Sequence, residues 1–82
     1  MSEEAALVRF IQDSLLNDRA IRITPETRLF EERILDSMNI LHLLGYVERQ
    51  LRRRLTDDEI VMANFQSVRA MVAAFFAGTS DG

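Results

Sequence analysis

Leu35-Asp36-Ser37-Met38-Asn39-Ile40-Leu41-His42-Leu43-Leu44-Gly45-Tyr46-Val47-Glu48-Arg49-Gln50-Leu51 is the stretch whose reading decides the fold of this chain. Ile40, Leu43, Leu44, Val47 and Leu51 recur at i, i+3, i+4, i+7 and i+11, one apolar stripe at helical period, and Met38 and Leu41 are expected to widen it. Upstream, Thr24-Pro25-Glu26-Thr27-Arg28-Leu29-Phe30 interrupts any helix, because proline lacks the amide donor and biases its predecessor toward extended backbone. A helix therefore begins near Asp36 and Ser37, and one of the two is expected at the N-cap, where a short oxygen-bearing side chain accepts from an orphan amide. The outward stripe reads Asn39, His42, Tyr46, Arg49 and Arg53, polar without being acidic, and Glu48 is the only carboxylate of the segment beyond Asp36. Gly45 costs a helix about 1 kcal/mol relative to alanine, so it marks a close helix contact or room for a bound chain.

Working outward, the rest of the chain reads as three further helices. The first runs from Glu3 to about Leu16, with Ser2 as its cap, two glutamates in its first turn and Leu7, Phe10, Ile11 and Leu15 on one core face. Between it and the central helix lies a long connector, 17–35, in which Ile21, Ile23, Leu29, Phe30 and Ile34 are expected to pack the loop down. Thr56-Asp57-Asp58-Glu59 has the form of a capping box and is expected to open a short third helix containing Ile60, Val61 and Met62. Asn64 or Ser67 then caps a fourth, whose face is Val68, Met71, Val72, Phe75 and Phe76 and whose end falls at Gly78. The pattern predicts an all-α fold, a small four-helix bundle forming one domain over 1–78 with a flexible tail at 79–82. No period-two run long enough for a strand is present in the sequence.

Composition excludes several classes of function. The 82 residues suffice for one small core but not for an enclosed active site of ordinary size. The absence of cysteine removes disulfides, thiolate nucleophiles and Cys-based metal sites. No apolar run approaches a membrane span and the N-terminus is acidic, so a cytoplasmic protein with no membrane insertion is expected. A net charge of -3 argues against nucleic acid as the partner, since neutralising phosphates takes a cationic surplus. The Arg49, Arg52, Arg53, Arg54 cluster reads as a solvated helix end that complements the helix dipole.

No residue constellation points to catalysis. The sole histidine, His42, lies five residues from Ser37, about 140° around a helix, past the spacings that share a face. A serine without a base is a poor nucleophile, and the chain holds no lysine and no second histidine. Asp57, Asp58 and Glu59 are explained by the capping box without an ion, and Met38, Met62 and Met71 are expected as core or groove fillers. Neither catalytic residues nor a metal site are expected.

The segment Thr27-Arg28-Leu29-Phe30-Glu31-Glu32-Arg33-Ile34-Leu35-Asp36-Ser37-Met38, in its four-helix setting, resembles the attachment segment of the acyl carrier protein family. Many fatty-acid carriers have glycine before the Asp-Ser pair and leucine after it. This chain has Leu35 and Met38, a version more similar to D-alanyl carrier proteins and free-standing aminoacyl carriers. The resemblance implies a covalent phosphopantetheine arm from coenzyme A on Ser37, with Asp36 supporting its attachment. It implies a docking face on the second helix, here Met38, Asn39, His42, Tyr46 and Arg49. The implied partners are a phosphopantetheinyl transferase, an acyl- or aminoacyl-activating ligase and a downstream transferase, and a carrier that must present Ser37 freely is expected as a monomer. The acid-poor face points away from general fatty-acid synthesis toward a dedicated pathway, because partners are steered by unlike charges. The alternative is a non-covalent helical adaptor in which Asp36-Ser37 is only a helix cap.

Overall fold

The computed structural model describes residues 2–16 and 20–76. Among them the chain is all-helical, with four α-helical segments and no strand: α1 (Glu3–Phe10), α2 (Ile40–Leu51), α3 (Met62–Phe65) and α4 (Val68–Met71). Single π-helical turns, Ile11–Leu15 and Val72–Phe76, prolong α1 and α4. Gly78 and the tail 79–82 lie outside the described residues. No helix among the described residues is long and apolar enough to cross a membrane.

α1 starts as its sequence demands, with the Ser2 hydroxyl accepting from the Ala5 amide at 3.1 Å and Glu3 and Glu4 in the first turn. The helix widens from Ile11 instead of running on as regular α-helix to Leu16, where the backbone amide donates to the Ile11 carbonyl at 3.1 Å. Leu7 and Ile11 are fully buried, and Phe10 and Leu15 are packed against the same core.

The long connector is held by polar clamps as well as by apolar side chains. The Gln12 amide donates to the Ile21 carbonyl and accepts from the Ile23 amide at 3.1 Å, standing in for a strand neighbour. Further along, Pro25 accepts from the Arg69 amide at 2.9 Å and the Leu29 amide donates to Gln66 at 2.8 Å, which ties the loop to the start of α4. Arg69 also reaches the carboxylates of Glu26 and Glu4. Ile23, Leu29, Ile34 and Leu35 are buried beneath these ties, whereas Ile21, expected to pack, is 40% exposed because only its carbonyl is engaged.

On α2 the predicted stripe holds: Leu43 and Val47 are fully buried, and Ile40, Leu44 and Leu51 pack against them. Met38 and Leu41 do not widen it, at 79% and 67% exposed. At about 100° per residue they fall about 160° and about 100° from the centre of the stripe, so geometry turns them outward. Arg52 ends the helix with φ 59°, its amide and that of Arg53 both donating to the Glu48 carbonyl.

The third helix begins later than the capping box suggests. Glu59 does turn back, accepting from the Thr56 amide at 2.9 Å, but its carboxylate also takes both guanidinium nitrogens of Arg53 at 2.9 and 2.8 Å. That arrangement closes a turn, and the β-branched pair Ile60-Val61 then passes through extended backbone at Val61 (φ −128°, ψ 150°) before α3 starts at Met62. Met62 is 67% exposed, so of the three methionines expected as fillers only Met71 is in the core. Ser67 caps α4 by accepting from Ala70 at 3.0 Å, and Val68, Met71, Phe75 and Phe76 are buried, with Val72 partly so.

Candidate functional site

Two residues build a reciprocal cap at the mouth of α2. Asp36 Oδ1 accepts from the amides of Met38 and Asn39, each at 2.9 Å, while the Asp36 amide donates to Asn39 Oδ1 at 2.8 Å. This is the logic of a capping box with aspartate and asparagine in place of the usual serine or threonine and glutamate. Asn39 Nδ2 also donates to the Ile34 carbonyl at 2.7 Å, fastening the end of the connector to the helix. The amide bonds from Asn39 and then Met38 hold the Asp36 carboxyl below the usual carboxylate range, so it is ionised at neutral pH.

The connector is shaped to meet this cap. The Leu29 carbonyl accepts from Ile34 at 2.8 Å and Leu35 at 3.0 Å, and the Arg33 amide donates to Phe30 at 3.1 Å with Arg33 at φ 61°. These are the crossed bonds of a Schellman motif, which normally places glycine at the left-handed position. Leu35, 2% exposed, anchors one side of the Asp-Ser pair, and Ile40 anchors the other.

Ser37 is exposed between these anchors, and its hydroxyl makes no hydrogen bond among the described residues. Asp36, not Ser37, is therefore the cap. The Asp36 carboxylate spends Oδ1 on the helix and leaves Oδ2 outside those bonds. No hydrogen bond joins Ser37 to His42, and no group of three or more His, Asp or Glu among the described residues is placed to hold a metal ion.

The five expected docking residues separate into two sets. Met38, His42 and Arg49 are exposed on the outer side of α2. Asn39 and Tyr46 are tied into the fold: Asn39 by the cap, and Tyr46 by stacking on Phe10 with ring centroids 4.3 Å apart. Burial, with the nearby Glu3 charge, pushes the Tyr46 phenol above its ordinary value. Glu48, the one carboxylate of α2, accepts from the Leu55 amide at 2.8 Å and so serves the helix end. Arg49 and Arg52 form no ion pair among the described residues. The arginine cluster is thus divided, with Arg53 held by Glu59 at 2.8 Å.

A cleft of about 400 Å³ opens between the end of α1 and the outer side of α2, lined by Phe10, Ser14, Leu15, Leu41, His42, Gly45 and Arg49. At its edge the Arg49 guanidinium is folded back along the helix over Gly45, where a Cβ would meet Arg49 Nη1 at 3.5 Å, an ordinary contact. The sequence signal for Asn39 was the Asp-x-x-Asn spacing, which departs from the common box; Arg33 and Arg52 carried none, since left-handed positions are ordinarily read from glycine.

No family model matches the chain, and no curated protein matches it.

Proposed function

We propose that the chain is a carrier protein of acyl-carrier type, which bears a phosphopantetheine arm on Ser37 and presents an acyl or aminoacyl group to partner enzymes. The observation that carries this reading is the exposed Ser37 hydroxyl, without a hydrogen bond among the described residues, beside a cap made by Asp36 and Asn39. The resemblance of the Leu35-Asp36-Ser37-Met38 segment to carrier attachment sites supports it.

The residues present suit such a group. Ser37 Oγ is open to a transferase, and a phosphodiester there lies at the N-terminal end of α2, where the helix dipole favours an anion. Asp36 adds a second negative charge at the same place, and its Oδ2, the oxygen not spent on the cap, would be the atom to help hold a divalent cation brought with coenzyme A, which would supply charge neutralisation there. When bound, the arm supplies the thiol that this cysteine-free chain lacks and holds cargo as a thioester. Loading and transfer then depend on the ligase and downstream transferase that dock on the outer side of α2, where no carboxylate other than the engaged Glu48 is found. That surface favours a dedicated pathway over enzymes built to grip an acidic helix.

The test is the intact mass of the purified protein before and after incubation with coenzyme A, magnesium and a broad-specificity phosphopantetheinyl transferase, with Ser37→Ala in parallel. A gain of one phosphopantetheine in wild type alone is expected. No gain with any of several transferases, from folded and unmodified protein, would transfer the assignment to a non-covalent adaptor docking through Met38 and Leu41.

A further inference from the structure

The cleft beside α2 differs from the rest of the surface in its lining. Phe10, Leu15 and Leu41 give it apolar walls, Ser14 and His42 add polar groups, and Arg49 supplies a charge with no carboxylate partner among the described residues. Among the described residues no acidic side chain lines it. Arg49 Nη1 lies 3.5 Å from where a Cβ on Gly45 would be, so the guanidinium folds back along the helix over the glycine and into the cleft. From Ser37 to Gly45 is eight residues, about 12 Å at the rise of a helix. A flexible arm equal in length to several residues of extended chain, at about 3.5 Å each, spans that distance.

Resting on the carrier reading above, we propose that this cleft receives the cargo itself, and that the cargo it selects is an acyl group with a second, free carboxylate at its far end. The apolar walls take the methylenes and Arg49 takes the carboxylate, with Ser14 and His42 as further hydrogen-bonding groups. An exposed arginine holds a free carboxylate too weakly to capture it from dilute solution. Tethering changes this, since a short flexible link gives an effective concentration on the order of millimolar. A cargo ending in ammonium meets the same guanidinium as a like charge and is turned out of the cleft.

The experiment uses the full chain, isotopically labelled and loaded on Ser37 by a broad-specificity transferase from three coenzyme A analogues. Their four-carbon cargoes are succinyl, butyryl and 4-aminobutyryl, each amide-linked in place of the thioester so that none cyclises or hydrolyses. Loading is checked by intact mass, and amide chemical shifts are compared. The succinyl form is expected to move Leu41, His42, Gly45 and Arg49 several-fold more than the other two, less so at high salt, with the difference abolished in Arg49→Gln. Equal shifts for the three cargoes, or none at these positions, with loading confirmed, would overturn the inference while leaving the carrier reading intact. Failure of every analogue to add mass at Ser37 would overturn both.

Discussion

Replacing Asn39 by alanine should destabilise the fold far more than replacing Ser37, although Ser37 is the residue assigned the function. Asn39→Ala removes the 2.7 Å bond to the Ile34 carbonyl and the 2.8 Å bond from the Asp36 amide. A net intramolecular hydrogen bond contributes about 1 kcal/mol, so the two together contribute about 2 kcal/mol. For a domain of this size each kcal/mol moves the midpoint by roughly 4–8 °C, which predicts a fall in Tm of roughly 8–16 °C. Ser37→Ala removes no hydrogen bond formed among the described residues and should stay within about 0.5 kcal/mol of wild type. Urea unfolding of the unmodified proteins, followed by far-UV circular dichroism with a check that the m-value is unchanged, measures both. Should Asn39→Ala prove neutral, or Ser37→Ala cost about 1 kcal/mol or more, Ser37 would be the true cap and the argument for a free hydroxyl would collapse.

Other substitutions probe the frame around that cap. Gly45→Ala should stabilise the protein by about 0.5–1 kcal/mol in denaturant, since alanine is the better helix former and its Cβ meets only Arg49 Nη1 at 3.5 Å, an ordinary contact; a loss of stability would show that the glycine is needed for a close approach. Arg33→Gly relieves the left-handed backbone at φ 61° and should raise stability by about 1 kcal/mol, with a loss of stability counting against the Schellman assignment. The Glu59 carboxyl is held down at about 2 from an ordinary 4.5, chiefly by the Arg53 guanidinium and then the Thr56 amide. Its folded value lies below its unfolded one, so its stabilisation is complete above about 4.5 and is lost as pH falls toward 2. Wild type and Glu59→Gln should therefore differ at pH 6 and converge by pH 2 in urea titrations; a constant gap would show that the charge is not what matters. Leu43→Ala, at a fully buried position, should cost 2–5 kcal/mol (roughly the range for leucine truncations in packed cores) in the same assay.

The apolar framework was legible because periodicity is a direct consequence of helix geometry. Leu43, Val47, Val68, Met71 and Phe75 were placed on buried faces by spacing alone, and each is buried. Met38 and Leu41 were misplaced by counting them as apolar without computing their angle to the stripe. The third helix was misjudged for a different reason: Thr56 and Glu59 have the right spacing for a box, but Arg53, six residues before Glu59, recruits the same carboxylate and fixes a turn. That bond depends on where the chain goes after α2, which no local pattern encodes. At the candidate site the sequence singled out Asp36 and Ser37 but left open which of them caps the helix. The amides of Met38 and Asn39 decide it by donating to Asp36 Oδ1, and the Asn39 side chain secures the choice by reaching back to the Asp36 amide and the Ile34 carbonyl.

A side chain that is to be covalently modified works best when the fold asks nothing of it. Had Ser37 Oγ been the cap, esterifying it would have removed an acceptor from the first turn, at about 1 kcal/mol, and loaded and unloaded forms would differ in the very helix end that partners must read. Here the first turn is closed by Asp36 Oδ1 and Asn39, with Ser37 projecting between them, so neither bond is broken when Ser37 gains a substituent. The same separation sets the roles of neighbouring residues: Leu35 and Ile40 bury on either side and fix the direction of approach, while Met38 turns outward with the serine. Stability thus rests on the two outer residues of one tetrapeptide, Asp36 and Asn39, and on the reading proposed above modification falls on the inner residue Ser37.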